Sequence, residues 1–392
     1  MNIPEHPLGD QLRFLKLRQF CTSDIENFGD ILYPLLFSHV AARSVPRIEL
    51  EQVTFIGGGA PLGGGYETSA IRDLYRDGTP ALPMVIGGGD LLRTDDEILA
   101  SHYQPAPTFD RTQFIASRFP RGHGAFFRFP SRGPAISKVA FFSIGVPHRF
   151  TVAEYPLVRT AMAEAAYIYI RDEHSKSRLL EAGVQEEIIV APDIAVILDD
   201  IFPRETLAET LDAVLSRHDL LPAAPYLCFQ ISAASAPEIP LIAPQLSYIA
   251  ARHGLRVFLL PLAFCHGDRE ALSALAALEP RRFRLIQPRT IIEMLAIIAH
   301  AVVFCGVSMH GNIAAFVYKV RSMFGKLDAS KIDGVMNLLG LPPDLHLQDW
   351  LDLRNGLEVT LARDRHDWEE RHQAAKALAY SSSRMLIASL QK

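Results

Sequence analysis

Short apolar runs, each giving way to a polar turn and then to a helix-length segment, recur along this chain of 392 residues. That alternation constrains the fold more than any single motif does. Runs of this size, rich in Val, Ile and Phe, read as strands of a parallel sheet buried on both faces. One series occupies residues 12–20, 53–56, 84–86, 139–146, 167–170 and 188–191. A second occupies 226–231, 256–261, 283–286, 302–307 and 321–324, with helices at 242–253, 269–278, 291–299 and 313–320 between them. Parallel neighbours need crossover helices, so two such series predict two Rossmann-like α/β domains whose parallel sheets face each other across a cleft. The junction falls at the acidic helical segment 205–216 and the loop 221–225. The expected division is therefore 1–204 and 205–392, the second part ending in an amphipathic helix over 364–390.

Composition narrows the class of partner. Hydrophobic residues make up 49% and charged residues 21%, which describes a globular chain able to bury a core. Lys and Arg total 39 against 44 Asp and Glu, a net charge of −5, which argues against bulk nucleic-acid binding. Cys21, Cys228, Cys265 and Cys305 are widely spaced and form no C-x-x-C pair, so neither a disulfide framework nor a zinc site is expected. The first residues, MNIPEHPLGDQ, carry no apolar signal core, and a cytoplasmic location is expected. The nearest approach to a membrane span, 291–309, contains Glu293, His300 and Gly306 and divides into a helix and a strand.

The chemistry concentrates where strands run into helices. Residues 302–307 lead through Ser308-Met309-His310-Gly311-Asn312 into an apolar helix. A helix N-terminus gathers unpaired N–H groups and positive dipole, which favours an anion. His310 stands at that turn beside Ser308, and Lys326 and Lys331 follow in a polar loop after the next strand. The region therefore reads as an anionic-substrate site centred on His310, against the plainer reading of a capping or core histidine. Arg171, at a strand end above another helix start, suits a phosphate or carboxylate; an ion pair with Asp172 or Glu173 is the alternative. Near the N-terminus, Asn27, Gly29 and Asp30 precede a helix over 31–40; Asn27 or Asp30 either caps it or lines a cleft. Glycine triplets follow two strands, at 57–59 and at Gly87-Gly88-Gly89 before Asp90, and each allows a tight turn or close approach to a ligand. Neither is a G-x-G-x-x-G fingerprint, so no nicotinamide site is expected. Residues 101–138 mix prolines and glycines with phenylalanines and arginines. They read as a long loop suited to a sugar or a phosphorylated lipid-linked acceptor, or as a solvated insertion.

Several separated motifs resemble one family, the polysaccharide pyruvyl transferases. They are Asn27-Phe28-Gly29-Asp30, Ile86-Gly87-Gly88-Gly89, Arg171-Asp172 with Ser175, Pro192-Asp193, His266-Gly267-Asp268, Ser308-Met309-His310, and Lys331 ahead of Leu338-Leu339-Gly340-Leu341. They fall in family order and cover most of the chain. The resemblance implies a glycosyltransferase-B-like arrangement, with the first domain on the acceptor side and the second on the donor side. It also implies phosphoenolpyruvate as donor, with no cofactor or metal, and a carbohydrate acceptor that carries the pyruvate as a ketal. Contact with the inner face of a membrane is compatible with a lipid-linked acceptor. His310 then serves the proton step or neutralises phosphate, Asp30 or Asp90 is the base, and Arg171, Ser308, Lys326 and Lys331 hold the donor. Asn27, Gly29, Gly88, Gly89, Asp90 and His266 line the cleft. The family pattern has arginine two residues before the histidine, where this chain has Ser308; Arg321, Lys326 or an arginine of 101–138 is the expected substitute. The alternatives are a nucleotide-sugar glycosyltransferase of the same architecture and a non-catalytic glycan-binding relative.

Overall fold

The computed structural model describes residues 14–103, 127, 135–220, 224–326 and 329–391. The first sheet comprises β1 (Leu15–Phe20), β2 (Ile48–Thr54), β3 (Gly58–Gly59), β4 (Glu67–Ala70), β5 (Leu82–Gly87), β6 (Ile136–Ile144), β7 (Ala165–Ile170) and β8 (Ile189–Val190). Its order is β3-β4-β2-β1-β5-β6-β7-β8, and among the described residues every pair but the antiparallel β3–β4 runs parallel. The second sheet comprises β9 (Tyr226–Gln230), β10 (Arg256–Leu259), β11 (Phe283–Leu285), β12 (Val303–Gly306) and β13 (Arg321–Phe324), all parallel in the order β11-β10-β9-β12-β13. Both are open, doubly wound sheets. In each, strand order reverses beside the first strand, between β1 and β5 and between β9 and β12. The crevice at the C-terminal ends of strands opens at such a reversal, and the two reversals face each other here.

Burial explains the apolar strands. β9 is buried along its whole length, and Leu227, Cys228 and Phe229 have no exposed surface. The helix Ile291–Ala299 buries seven of its nine residues because it is wedged against both domains; side chains such as Leu295 and Ile298 each contribute about 1.5–3 kcal/mol by leaving water. One apolar cluster runs through both domains, from the helix Phe28–Ser44 to the helices Ile291–Ala299 and Met309–Val317. Backbone bonds also cross the gap: Phe28 N–H donates to Leu262 O at 2.8 Å, Phe264 N–H to Glu26 O at 2.9 Å, and Ile291 N–H to Leu62 O at 3.0 Å.

Three local expectations differ from what is observed. The helix at the C-terminal end, Trp368–Gln391, belongs in space with the first sheet and not with the second. Its His372 Nε2 lies 2.7 Å from Val196 O, and its Lys376 Nζ donates to Asp199 at 3.1 Å and Asp200 at 2.6 Å. Its apolar stripe finds an uncovered face there, which amphipathicity alone does not assign. Two residues of the first glycine triplet form an edge strand: Gly58 pairs with Thr68 and Gly59 with Glu67. Lys331 lies within the helix Ala329–Leu338 and not in a polar loop. Most of residues 101–138, with all their arginines, fall outside the described residues. Among the described residues no helix is long and apolar enough to cross a membrane.

Candidate active site

Between the two strand-order reversals lies a cleft of about 280 Å³. The first domain lines it with Asn27, Asp30, Gly89, Asp90, Arg93, His102 and Arg171, and the second with Gln230, His266, Ser308 and His310. Nearly every site residue expected from the sequence is thus brought together. The exceptions are Gly29 and Gly88, which sit behind the lining; Lys326, which lies outside it within 4 Å of Glu238 (3.7 Å) and Asp349 (3.8 Å); and Lys331, whose side chain is outside the described residues.

His310 is positioned from below. Ser308 caps the helix Met309–Val317, its Oγ accepting from Gly311 N–H at 3.1 Å, so His310 sits in the first turn with its ring directed across the gap. The Ser308 turn is itself anchored: its N–H donates to Gln230 Oε1 at 2.8 Å, and Gln230 Nε2 donates to Asp268 Oδ2 at 2.8 Å. Asp268 is fully buried and also accepts from the N–H groups of Leu262 (3.0 Å) and Ala263 (2.9 Å). Burial lifts its carboxyl to about 6, against the pull of those hydrogen bonds. The His266-Gly267-Asp268 motif therefore acts through Asp268 as the strut of the histidine turn.

On the opposite wall the ring meets a buried polar cluster. His310 Nε2 is 3.4 Å from Tyr33 Oη and 3.5 Å from Asp193 Oδ2, and the Tyr33 and His310 rings cross edge to face at 5.6 Å. Tyr33 Oη donates to Asp193 Oδ2 at 2.5 Å, and Arg171 Nη1 donates to the same oxygen at 3.2 Å. Arg171 Nη2 pairs with Asp90 Oδ1. Arg171 is 1% exposed, so it does not present a free guanidinium to solvent; it neutralises Asp90 and Asp193, and the sequence alternatives Asp172 and Glu173 are not its partners. Instead Asp172 caps the helix Glu173–Glu181, accepting from Ser175 N–H at 2.6 Å. Burial opposes ionisation of Asp193, but His310, Arg171 and the Tyr33 hydroxyl outweigh it and hold the carboxyl far below the usual carboxylate range. Burial and then the Asp193 charge keep the Tyr33 phenol protonated.

Asn27, not Asp30, caps the first helix, accepting from Gly29 N–H at 3.1 Å. Asp30 is left free of that duty and faces the cleft. Burial raises its carboxyl to about 6, although the nearby His310 charge and a Thr22 hydrogen bond pull the other way. It is a carboxylate that gains and loses its proton in the working range of a general base.

Two glycines make this geometry possible. A Cβ on Gly29 would sit on His310 Nδ1, so the first helix can approach the imidazole only at a residue without a side chain. Gly88 has φ +95°, and a Cβ there would lie 2.5 Å from the Tyr33 ring. Gly29→Ala should therefore displace the His310 ring. We expect at least a hundred-fold loss of kcat with unchanged far-UV circular dichroism; wild-type kcat in that variant would show that the ring does not act from this position.

Tyr33 and Asp193 were not singled out as site residues from the sequence. Tyr33 lies three positions after Asp30, hence on the same helix face, and Asp193 follows Pro192 at a strand exit. Those were the available signals.

Comparison with solved structures places this architecture in the glycosyltransferase-B class. UDP-N-acetylglucosamine 2-epimerase from Rickettsia bellii superposes with TM-score 0.58 at 10% identity, covering 96% of this chain and 97% of that one. The Methanocaldococcus jannaschii UDP-GlcNAc 2-epimerase in complex with UDP-GlcNAc and UDP gives 0.52 at 13%, covering 94% and 99%. The α,α-trehalose-6-phosphate synthase of Burkholderia multivorans gives 0.51 at 11%, covering 97% and 96%. Identities this low show the fold alone. No curated protein matches the sequence. The family model for polysaccharide pyruvyl transferase matches residues 14–324. The chain belongs to that family.

Proposed function

We propose that the chain transfers pyruvate from phosphoenolpyruvate to two hydroxyls of one sugar in a polysaccharide or its precursor, forming a ketal and releasing phosphate. The observation that carries this reading is His310 suspended in an inter-domain cleft, 3.5 Å from an ionised, buried Asp193 and facing a carboxylate, Asp30, that titrates near 6. A protonated ring in that position faces a fixed negative charge, which suits it to donate a proton to an electron-rich carbon.

His310 gives its proton to C3 of the enol, making a methyl group and an oxocarbenium ion at C2. A sugar hydroxyl adds to C2 and surrenders its proton to Asp30. The C2–O bond to phosphate breaks, phosphate leaves with both electrons, and the second hydroxyl closes the ketal and loses its proton. One proton enters carbon, two leave hydroxyls, and the remaining one departs with phosphate. Holding the two hydroxyls against one carbon is the entropic share of the catalysis.

The test is turnover of phosphoenolpyruvate with candidate glycan acceptors, read as phosphate release together with a new ketal methyl singlet in proton NMR. Turnover of a nucleotide sugar with none of phosphoenolpyruvate would overturn the reading. A further expectation concerns Asp30. A folded carboxyl raised from about 4 to about 6 destabilises the protein by roughly 3 kcal/mol above pH 6, an effect that vanishes below about pH 4, where both states are protonated. Asp30→Asn should raise the melting temperature at pH 7–8 and not at pH 4, and lower kcat/KM by about a hundred-fold or more with loss of the acidic limb near pH 6. Calorimetry and a pH–rate profile check both halves.

A further inference from the structure

With Ser308 where the family pattern has arginine, the guanidinium that would face the donor from the second domain is missing. Two of the substitutes named from the sequence, Arg321 and Lys326, do not line the cleft, and the arginines of 101–138 lie outside the described residues. Arg321 opens β13 beside Val303, at the start of the strands and away from the site, and donates to Arg363 O at 3.3 Å. Lys326 is held near Glu238 and Asp349 outside the lining.

Basic side chains do line another part of the cleft. Arg93 and His102 come from the first domain and His266 from the second, and the two imidazole rings stand 4.8 Å apart. Arg93 is 9% exposed and its direction is fixed: Nε and Nη2 grip Asp95 in a fork, at 2.5 and 2.8 Å. Asp95 is steadied in turn by His148, whose Nδ1 is 3.7 Å away and whose Nε2 is 2.9 Å from Thr94 Oγ1. The fork occupies one edge of the guanidinium, and the Nη1 edge has no partner among the described residues. Burial, then the His266 ring and the Arg93 charge, push His102 down to about 4. Asp95 pulls the other way and is outweighed, and an anion in the cleft would offset what remains.

We propose that Arg93, His102 and His266 form the cradle for the donor's phosphate, replacing from the opposite domain the guanidinium that the family pattern carries at position 308. This rests on phosphoenolpyruvate being the donor. A planar guanidinium and two ring N–H groups match the oxygens of a phosphate better than those of a neutral sugar. The carboxylate end of the donor then points toward the helix N-terminus at His310, where N–H groups gather.

Calorimetric titration of the whole protein with inorganic phosphate, phosphoenolpyruvate and pyruvate tests this directly, since pyruvate has the carboxylate without the phosphate. Arg93→Met and His102→Gln should each weaken phosphate and phosphoenolpyruvate at least tenfold and leave pyruvate within twofold. Adding Ser308→Arg to Arg93→Met should recover much of the lost affinity. His102→Gln carries the test if Arg93→Met fails to fold. Phosphate affinity within twofold of wild type in the folded variants, or wild-type protein that binds no phosphate, overturns the cradle. If wild type turns over phosphoenolpyruvate in that case, the donor reading survives alone. Phosphate binding lost in both variants, in a protein that neither binds nor turns over phosphoenolpyruvate, overturns the donor reading and leaves an anion site for another phosphorylated ligand.

Discussion

His310→Ala should abolish phosphate release from phosphoenolpyruvate, with kcat lowered by about a thousand-fold and the fold unchanged. General acid catalysis by a positioned side chain is worth about 10²–10⁴ in rate, so this one deletion removes a large part of the chemical step. The side chain is 12% exposed and faces the cleft, and its removal breaks no backbone contact. The helix it starts remains capped by Ser308. Melting temperature should fall, because buried Asp193 loses one of the groups that hold it ionised, yet binding of phosphoenolpyruvate should weaken less than kcat falls, because the proton is delivered only in the transition state. His310→Gln separates the two roles left open by the sequence. Glutamine can still donate a hydrogen bond to a phosphate oxygen but cannot deliver a proton to carbon. Equal loss in Ala and Gln variants assigns the proton step; substantial recovery in Gln would assign phosphate binding and remove His310 as the acid.

Much of this site is legible in the sequence because its parts are local. A strand followed by Ser308 and an apolar helix is enough to put His310 at a helix start, and Asn27 ahead of Gly29 is enough for a cap. The two α/β domains followed from the alternation of elements, and the strands of the second sheet were found at nearly their true positions. What could not be read depends on contacts between distant segments. Arg171 chose Asp90 and Asp193, 81 and 22 residues away, over the carboxylates next to it, because Asp172 was taken by the helix cap. Tyr33 sits in an apolar helical run, and only the meeting of two domains turns its hydroxyl into a partner of His310. The two glycine triplets look alike in sequence. Strand order separates them, since β5 lies beside β1 at the reversal while β2 leads outward to the sheet edge. The same logic hid the seat of the helix Trp368–Gln391, which a stripe pattern cannot specify.

The largest effect on stability is expected from Arg171→Met. The arginine is 1% exposed and lies between two carboxylates, Asp90 and the fully buried Asp193. Removing it takes from both carboxylates the cation they share, and breaking a buried pair in this way costs about 3–5 kcal/mol. A fall in melting temperature on the order of 5–10 °C follows at pH 7. The pH dependence distinguishes this from a simple packing defect. In the wild type Asp193 is held below its unfolded value near 3.9, so its contribution is present at neutral pH and fades as pH falls below about 4. In the variant Asp193 loses part of what holds it down, so the deficit is full at neutral pH and shrinks on acidification as the carboxyl takes up its proton. Arg171→Met should thus approach wild-type stability between pH 7 and pH 4, and Asp193→Asn added to it should restore part of the loss at pH 7. A deficit that is the same at every pH and untouched by the second substitution would mean that the arginine serves only as volume. Activity supplies an independent reading of the same contact. Asp193 also faces His310 at 3.5 Å, so disturbing its charge should reduce kcat even at the acidic pH where stability has recovered.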